Sequence, residues 1–132
     1  MNIGFIGTGL MGAPMIKNLL KSKHQISIFN RTISKAKKLK KYGAYLSYKI
    51  EELVKDKEII ITMLTDDKAV NDVIRSKTFL NNVCKDTTVI DMSSTKPSTA
   101  LDNYKTLKKR GVYFLDAPVS GELKELKVLA LL

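Results

Sequence analysis

Apolar residues gather in six short runs, at positions 3–6, 26–29, 44–46, 58–63, 88–91 and 112–115, and the stretches between them carry apolar residues at helical spacing. Runs this short and this continuously apolar suit strands buried on both faces, as in parallel sheets. The intervening patterns predict helices over residues 10–21, 33–41, 50–54, 68–74 and 98–109. Their ends carry suitable residues. Thr32 and Asp66 or Asp67 can cap N-terminal amides, Pro97 fits a first helical turn, and Gly43 and Gly111 follow lysine-rich helix ends, where a left-handed residue is common. Strands alternating with helices imply right-handed crossovers and an α/β fold built on an open, doubly wound parallel sheet. Such sheets bind ligands outside the carboxyl ends of their strands. That rule directs attention to the turn after the first strand, to Asn30-Arg31-Thr32, Leu64-Thr65 and Ser93-Ser94-Thr95, and to the segment from Ala117 to Gly121.

The first of these turns is the most specific. Gly7-Thr8-Gly9-Leu10-Met11-Gly12 follows an apolar run directly and opens an amphipathic segment, the strand–turn–helix context that a dinucleotide-binding Rossmann unit requires. In such a unit Gly7 allows the tight turn, Gly9 leaves room for a pyrophosphate to approach the backbone, and Gly12 lets the helix pack closely on the strand. The helix start then presents N–H groups to phosphate.

Composition narrows the remaining choices. With 132 residues the chain reads as one domain, large enough to fold without staples, and 44% hydrophobic with 27% charged residues is a globular composition. No apolar run approaches the roughly 20 residues that span a bilayer, and the amino terminus lacks the basic region of a secretory signal, so a cytoplasmic protein is expected. The lone cysteine, Cys84, and the lone histidine, His24, offer neither an internal disulfide nor a metal cluster. The net charge of +10 raises nucleic-acid binding as a reading. However, the densest cluster, Lys35, Lys37, Lys38, Lys40 and Lys41, has no interleaved aromatic residues, and it reads as a solvated helix face over the seam of Ala36 and Leu39. No nucleic-acid partner is expected.

The second strand of a dinucleotide-binding unit usually ends in an acid that bonds the ribose 2′-hydroxyl. Here that place holds Asn30-Arg31-Thr32. A neutral Asn30 removes a repulsion against a 2′-phosphate, and Arg31 supplies a planar, permanently charged donor, so NADP is favoured over NAD. The alternative is that Arg31 only stacks on adenine while Asn30 bonds a 2′-hydroxyl, which would admit NAD.

Together these residues resemble the β-hydroxyacid dehydrogenases, which include 3-hydroxyisobutyrate dehydrogenase, tartronate semialdehyde reductase and the glyoxylate/succinic semialdehyde reductases. The resemblance covers residues 2–121. It rests on the run from Gly4 to Met15 with Asn18-Leu19, on Asn30-Arg31-Thr32, on Asp91-Met92-Ser93-Ser94 and on Asp116-Ala117-Pro118-Val119-Ser120-Gly121. It implies reversible hydride transfer between a nicotinamide cofactor and the β-hydroxyl of a small carboxylic acid, or reduction of the matching semialdehyde. It also implies that Met63, Leu64, Thr65 and the Ser94 hydroxyl lie near the cofactor, and that Ser120 and Gly121 hold the substrate carboxylate. The chemistry of those last two residues agrees, since a hydroxyl and closely approachable backbone N–H groups can donate to a carboxylate. From the residues alone, Ser93-Ser94-Thr95 also reads as a helix cap and Asp66-Asp67 as capping; neither Asp91 nor Asp116 is expected to be catalytic.

Beyond Gly121 the chain departs from the family's pattern. Relatives continue through an interdomain helix into an all-helical domain, and their catalytic lysine would lie past Leu132. The expected organisation is therefore a nucleotide-binding domain over residues 1–121 with a divergent tail, 122–132, and no C-terminal helical domain. The tail, Glu-Leu-Lys-Glu-Leu-Lys from Glu122, is what one lost base would make of codons for Gly-Val-Lys-Gly-Ala-Glu, which suggests a shortened form of a longer enzyme. A genuine short protein is the competing reading, its apolar residues 128–132 adding an edge strand or a partner surface. Either way the isolated chain is expected to bind nucleotide and to turn over little substrate. The substrate acid and the oligomeric state stay open at this stage.

Overall fold

Each of the six apolar runs forms a strand. The computed structural model describes residues 1–119. In it β1 (Asn2–Ile6), β2 (Gln25–Phe29), β3 (Tyr45–Leu46), β4 (Ile59–Thr62), β5 (Thr88–Asp91) and β6 (Tyr113–Asp116) make one sheet in the order β3-β2-β1-β4-β5-β6. Every pairing is parallel. The chain winds outward from β1 to β3, then returns past β1 and winds the other way, so a topological switch point lies between β1 and β4. Ile6 sits level with both Phe29 and Thr62, so β1 ends together with its two neighbours, β2 and β4.

Helices cover both faces. On one side α1 (Gly12–Lys21) and α2 (Ile33–Lys37) bury Met15, Ile16, Leu19 and Ala36 against Ile3, Phe5, Ile26, Ile28 and Ile61. On the other, α3 (Ile50–Val54), α4 (Asp67–Ile74), α5 (Lys77–Asn82) and α6 (Pro97–Lys108) bury Leu53, Val54, Val70, Ile74, Phe79 and Leu107 against Ile60 and Val89. Neighbouring Ile60 and Ile61 thus serve opposite cores, the two-residue period of a strand covered on both faces. Among the described residues no helix is long and apolar enough to cross a membrane.

Two helical expectations are corrected. The pattern over 33–41 is not one helix: α2 stops at Lys37, and a separate 3₁₀ turn, Lys40–Tyr42, ends at Gly43 with φ 102°. Five lysines within seven residues place like charges three and four positions apart, which disfavours a continuous helix. The second is α5, which the periodicity did not announce. It is six residues long and starts where the Ser76 hydroxyl accepts from Phe79 N at 3.1 Å. It serves to drive Phe79, fully buried, into the second core.

The caps also sort themselves. Asp66 Oδ1 accepts from Ala69 N at 2.8 Å, a standard N-cap, whereas the Thr32 hydroxyl makes no capping bond. Asp67 caps no amide of its own helix; its Oδ2 accepts from Lys96 N at 3.0 Å and from Thr99 Oγ1 at 2.6 Å, which pins the start of α6 to α4. Those hydrogen bonds, Thr99 first, hold the Asp67 carboxyl below its ordinary value. Ser93, Ser94 and Thr95 do not cap α6, whose N-cap is Lys96. Truncating Phe79 tests how much the unannounced helix matters: Phe79→Ala should cost about 3–5 kcal/mol in urea denaturation, and a loss under about 1 kcal/mol would show that α5 is dispensable.

Candidate functional site

The glycine turn lies at the switch point, and its three glycines differ in what the protein itself demands of them. Gly7 has φ +107°, and a Cβ there would stand 2.1 Å from the Met63 carbonyl oxygen. A Cβ on Gly12 would stand 2.1 Å from the Gly7 carbonyl oxygen, so the start of α1 can approach β1 this closely only without a side chain. Gly9 is different: a Cβ would meet nothing within 4 Å. The fold does not require glycine at position 9, but something arriving from outside and resting on the backbone would. That cradle fits a pyrophosphate. Directly beyond it α1 begins with no side chain capping its amides and no acid in its first turn, which leaves its positive end open to an anion.

The turn is braced from both sides. Gly7 N donates to Phe29 O at 3.0 Å and Met63 N to Ile6 O at 2.9 Å, continuing the ladder past the strand ends. Asn30 does more. Its Oδ1 accepts from Thr8 N at 3.0 Å and its Nδ2 donates to Thr32 O at 2.9 Å, so one side chain ties the glycine turn to the loop after β2.

Two clefts open beside the turn. One, of about 230 Å³, is walled by Gly7, Phe29, Asn30 and Arg31 and, across from them, by Leu64, Ala69 and Val73. Lys68 and Asp72 also line it, and a slot with apolar walls and an arginine at its side suits a flat heteroaromatic ring. The other, of about 300 Å³, is lined by Gly9, Leu10, Met11 and Gly12 of the turn, by Met63, Leu64 and Thr65 after β4, and by Ser94 and Val119. Leu10 is 86% exposed, an apolar side chain held in solvent at the cleft mouth. Thr8 and Thr32 border neither cleft: Thr8 is buried and faces a third cleft, and Thr32 sits outside at the start of α2. Of the strand-end segments singled out from sequence, Ser93, Thr95, Ala117 and Pro118 line neither cleft either. Ser120, Gly121 and the tail 122–132 lie outside the described residues.

The polar network that holds Leu64, one wall of the second cleft, was not foreseen. Thr62 Oγ1 donates to Asp91 Oδ1 at 2.8 Å, Ser93 N donates to the same oxygen at 3.1 Å, and Leu64 N donates to Ser93 Oγ at 2.9 Å. Thr62, Asp91 and Ser93 are all fully buried. This chain of bonds locks the segment after β4 to the end of β5 and so fixes Leu64 and Thr65 at the cleft edge. The available signal was a carboxylate and a hydroxyl closing an otherwise apolar strand. Burial first, with the nearby Asp116 charge, pushes the Asp91 carboxyl above its ordinary value, against the pull of its Ser93 and Thr62 donors. Its Oδ2 has no hydrogen-bond partner among the described residues.

Comparison with known families agrees with this geometry. The family described as the NAD binding domain of 6-phosphogluconate dehydrogenase matches residues 2–127. The chain belongs to this family. As an NAD binding domain of that type it is 35% identical over 125 residues to glyoxylate/succinic semialdehyde reductase 1 of Arabidopsis thaliana, covering 94% of this chain and 43% of that protein. It is 38% identical over 120 residues to the mitochondrial 3-hydroxyisobutyrate dehydrogenase of Drosophila melanogaster, covering 91% of this chain and 37% of that one. The chain thus spans about two fifths of the length of these curated relatives. Among solved structures it resembles Mycobacterium tuberculosis 3-hydroxyisobutyrate dehydrogenase with L-serine, at a TM-score of 0.89 and 29% identity, covering 96% of this chain and 43% of that chain. The Rossmann fold, the dinucleotide-binding class and the likeness to the N-terminal part of hydroxyacid dehydrogenases stand as the sequence implied.

Two outcomes follow for this NAD binding domain. Gly12→Ala should destabilise it by more than about 3 kcal/mol, because backbone must move. Gly9→Ala should leave stability within about 1 kcal/mol while weakening dinucleotide binding about tenfold. Melting curves and a fluorescence titration separate the two, and equal melting losses would show that Gly9 serves the fold. For Asp91, the folded state holds its proton more tightly than the unfolded chain. Its contribution is therefore full below the ordinary carboxylate range and is lost as pH rises through the folded value. Asp91→Asn keeps the accepting oxygen and should melt higher relative to the parent at pH 7 than at pH 4; parallel curves would exclude this carboxyl as the source.

Proposed function

We propose that this chain is the NADP(H)-binding part of an oxidoreductase that transfers hydride between NADP and a small β-hydroxy acid, or its semialdehyde, in the manner of a 3-hydroxyisobutyrate dehydrogenase. When bound, the nicotinamide accepts or delivers the hydride. This chain's residues bind and orient. Gly9 and the open start of α1 take the pyrophosphate, Arg31 covers the adenine, and Leu10, Met11, Met63, Leu64, Thr65 and Ser94 border the nicotinamide. The proton of the alcohol is assigned to a lysine carried by the longer relatives and not by residues 1–119. In this reading residues 1–121 form the nucleotide domain, Ser120 and Gly121 hold the substrate carboxylate, and the protein works in the cytoplasm.

The observation that carries the preference for NADP is the end of β2. A guanidinium stands in the cleft wall there, and the loop supplies no carboxylate to meet a 2′-hydroxyl. The acid facing Arg31 across the cleft, Asp72, is paired with Lys68 at 2.7 Å. Asn30 is engaged with Thr8 and Thr32, which leaves Arg31 and Thr32 to meet a 2′-phosphate. A nicotinamide cofactor is also supported by the likeness to the solved structure of Psf3 in complex with NADP+ and 2-OPP, at a TM-score of 0.89 and 26% identity. A second reading, a nucleotide-binding module without chemistry of its own, draws on the likeness to the cytokine-like nuclear factor N-PAC of Xenopus tropicalis, 34% identical over 120 residues.

Fluorescence titration tests the proposal. NADPH should bind more tightly than NADH, and Arg31→Ala should weaken NADPH binding about 10- to 100-fold, the worth of one or two charge-assisted hydrogen bonds, with a smaller loss for NADH. Equal affinities for the two cofactors would overturn the NADP assignment. Slow oxidation of bound NADPH by small semialdehydes would exclude the module reading.

A further inference from the structure

A third cleft is larger than either of the two above. About 450 Å³ in volume, it lies between α1 on one side and α2 with the 3₁₀ turn on the other, and its inner end meets the glycine turn at Thr8 and Gly9. Four lysines line it, Lys17, Lys35, Lys38 and Lys41, and no carboxylate does. Four ammonium groups around one cleft repel each other, and the fold holds two of them there. The Nζ atoms of Lys17 and Lys41 stand 4.6 and 5.2 Å from the centroid of the same ring, Tyr42. At the inner end Thr8 is 5% exposed, and its hydroxyl oxygen is buried with no hydrogen-bond partner among the described residues. Leaving a buried hydroxyl unbonded is costly, and an acceptor reaching it from the cleft would remove that cost.

We propose that this cleft is a second anion site, which takes a small multivalent phosphate separate from the dinucleotide, with Lys17, Lys38 and Lys41 supplying charge and the Thr8 hydroxyl an inner hydrogen bond. The site shares Thr8 and Gly9 with the glycine turn, so its occupancy and dinucleotide affinity are linked reciprocally. It does not depend on which nicotinamide cofactor binds.

The probe is inorganic pyrophosphate, titrated calorimetrically into the full 132-residue chain at physiological ionic strength, alone and with saturating NADH. Binding should persist with NADH present and weaken at least tenfold in Lys17→Ala/Lys41→Ala, a variant that should keep its NADH affinity and melting temperature. The ultraviolet titration of tyrosine gives an independent reading. Lys17 and then Lys41 hold the Tyr42 phenol below its ordinary value, so a bound anion should move its ionisation upward, a change absent in Tyr42→Phe. Equal pyrophosphate affinity in parent and variant, or displacement by NADH, would place the anion at the start of α1 and overturn the proposal. Displacement by NADP but not by NAD would make the cleft the seat of the 2′-phosphate, and tighter capture of duplex DNA by the same lysines would assign it to nucleic acid; both count against a separate small-anion site. Failure of NADH to bind at all would defeat the dinucleotide reading while leaving the pyrophosphate comparison intact.

Discussion

The contact between the start of α1 and the end of β1 is the constraint from which the rest of the structure follows. With glycine at 12 the helix can begin almost on top of the strand, where an added Cβ would stand 2.1 Å from the Gly7 carbonyl oxygen; glycine at 7 gives the same clearance to the Met63 carbonyl oxygen after β4. That closeness sets the line of α1, and α1 in turn buries Met15, Ile16 and Leu19 against the central strands. It also puts the positive end of a ten-residue helix at the one place where the sheet reverses its winding. Packing and the placement of the helix's positive end therefore both follow from the missing side chain at Gly12.

Around that contact the strand ends are fixed by polar side chains rather than by further apolar packing. Asn30 spans from the glycine turn to the loop after β2, and the Thr62, Asp91 and Ser93 groups span from β4 to β5. Loops at the edge of a sheet lose ladder partners just where a binding site needs them rigid. Side-chain acceptors restore some of those bonds without closing the clefts. The arrangement places the more buried and more demanding network beside the second cleft, where the segment after β4 must hold its position most closely.

Much of this was legible in the sequence because it rests on local rules. Six apolar runs became six strands, since a parallel sheet covered on both faces needs continuous apolar stretches, and the glycine spacing located the turn at residue 7. What escaped depended on partners distant in sequence or on competing local effects. The lysines after Thr32 preserved an apolar seam at Ala36 and Leu39 while their mutual repulsion broke the helix, so the periodicity misread its length. Helix α5 is too short for its period to register, and only Ser76 marked it. Asp67 looked like a cap because it sits at a helix start; its partners, Lys96 and Thr99, are about thirty positions away and belong to another helix. The lysine cleft was invisible for the same reason, being assembled from α1 and the segment after β2.

Asn30 carries one more implication, for attempts to redesign which dinucleotide the protein prefers. Engineers commonly start at the end of the second strand, because an acid there is the usual discriminator between ribose hydroxyl and phosphate. In this protein that residue is also a mechanical brace: its amide both accepts from Thr8 N and donates to Thr32 O. A carboxylate could keep the first bond but would set two acceptors against each other at the second, so the loop carrying Arg31 would swing free of the turn it frames. Selectivity and rigidity share an atom group here. A redesign that spares Asn30 and varies its neighbours would alter the preference without loosening the frame.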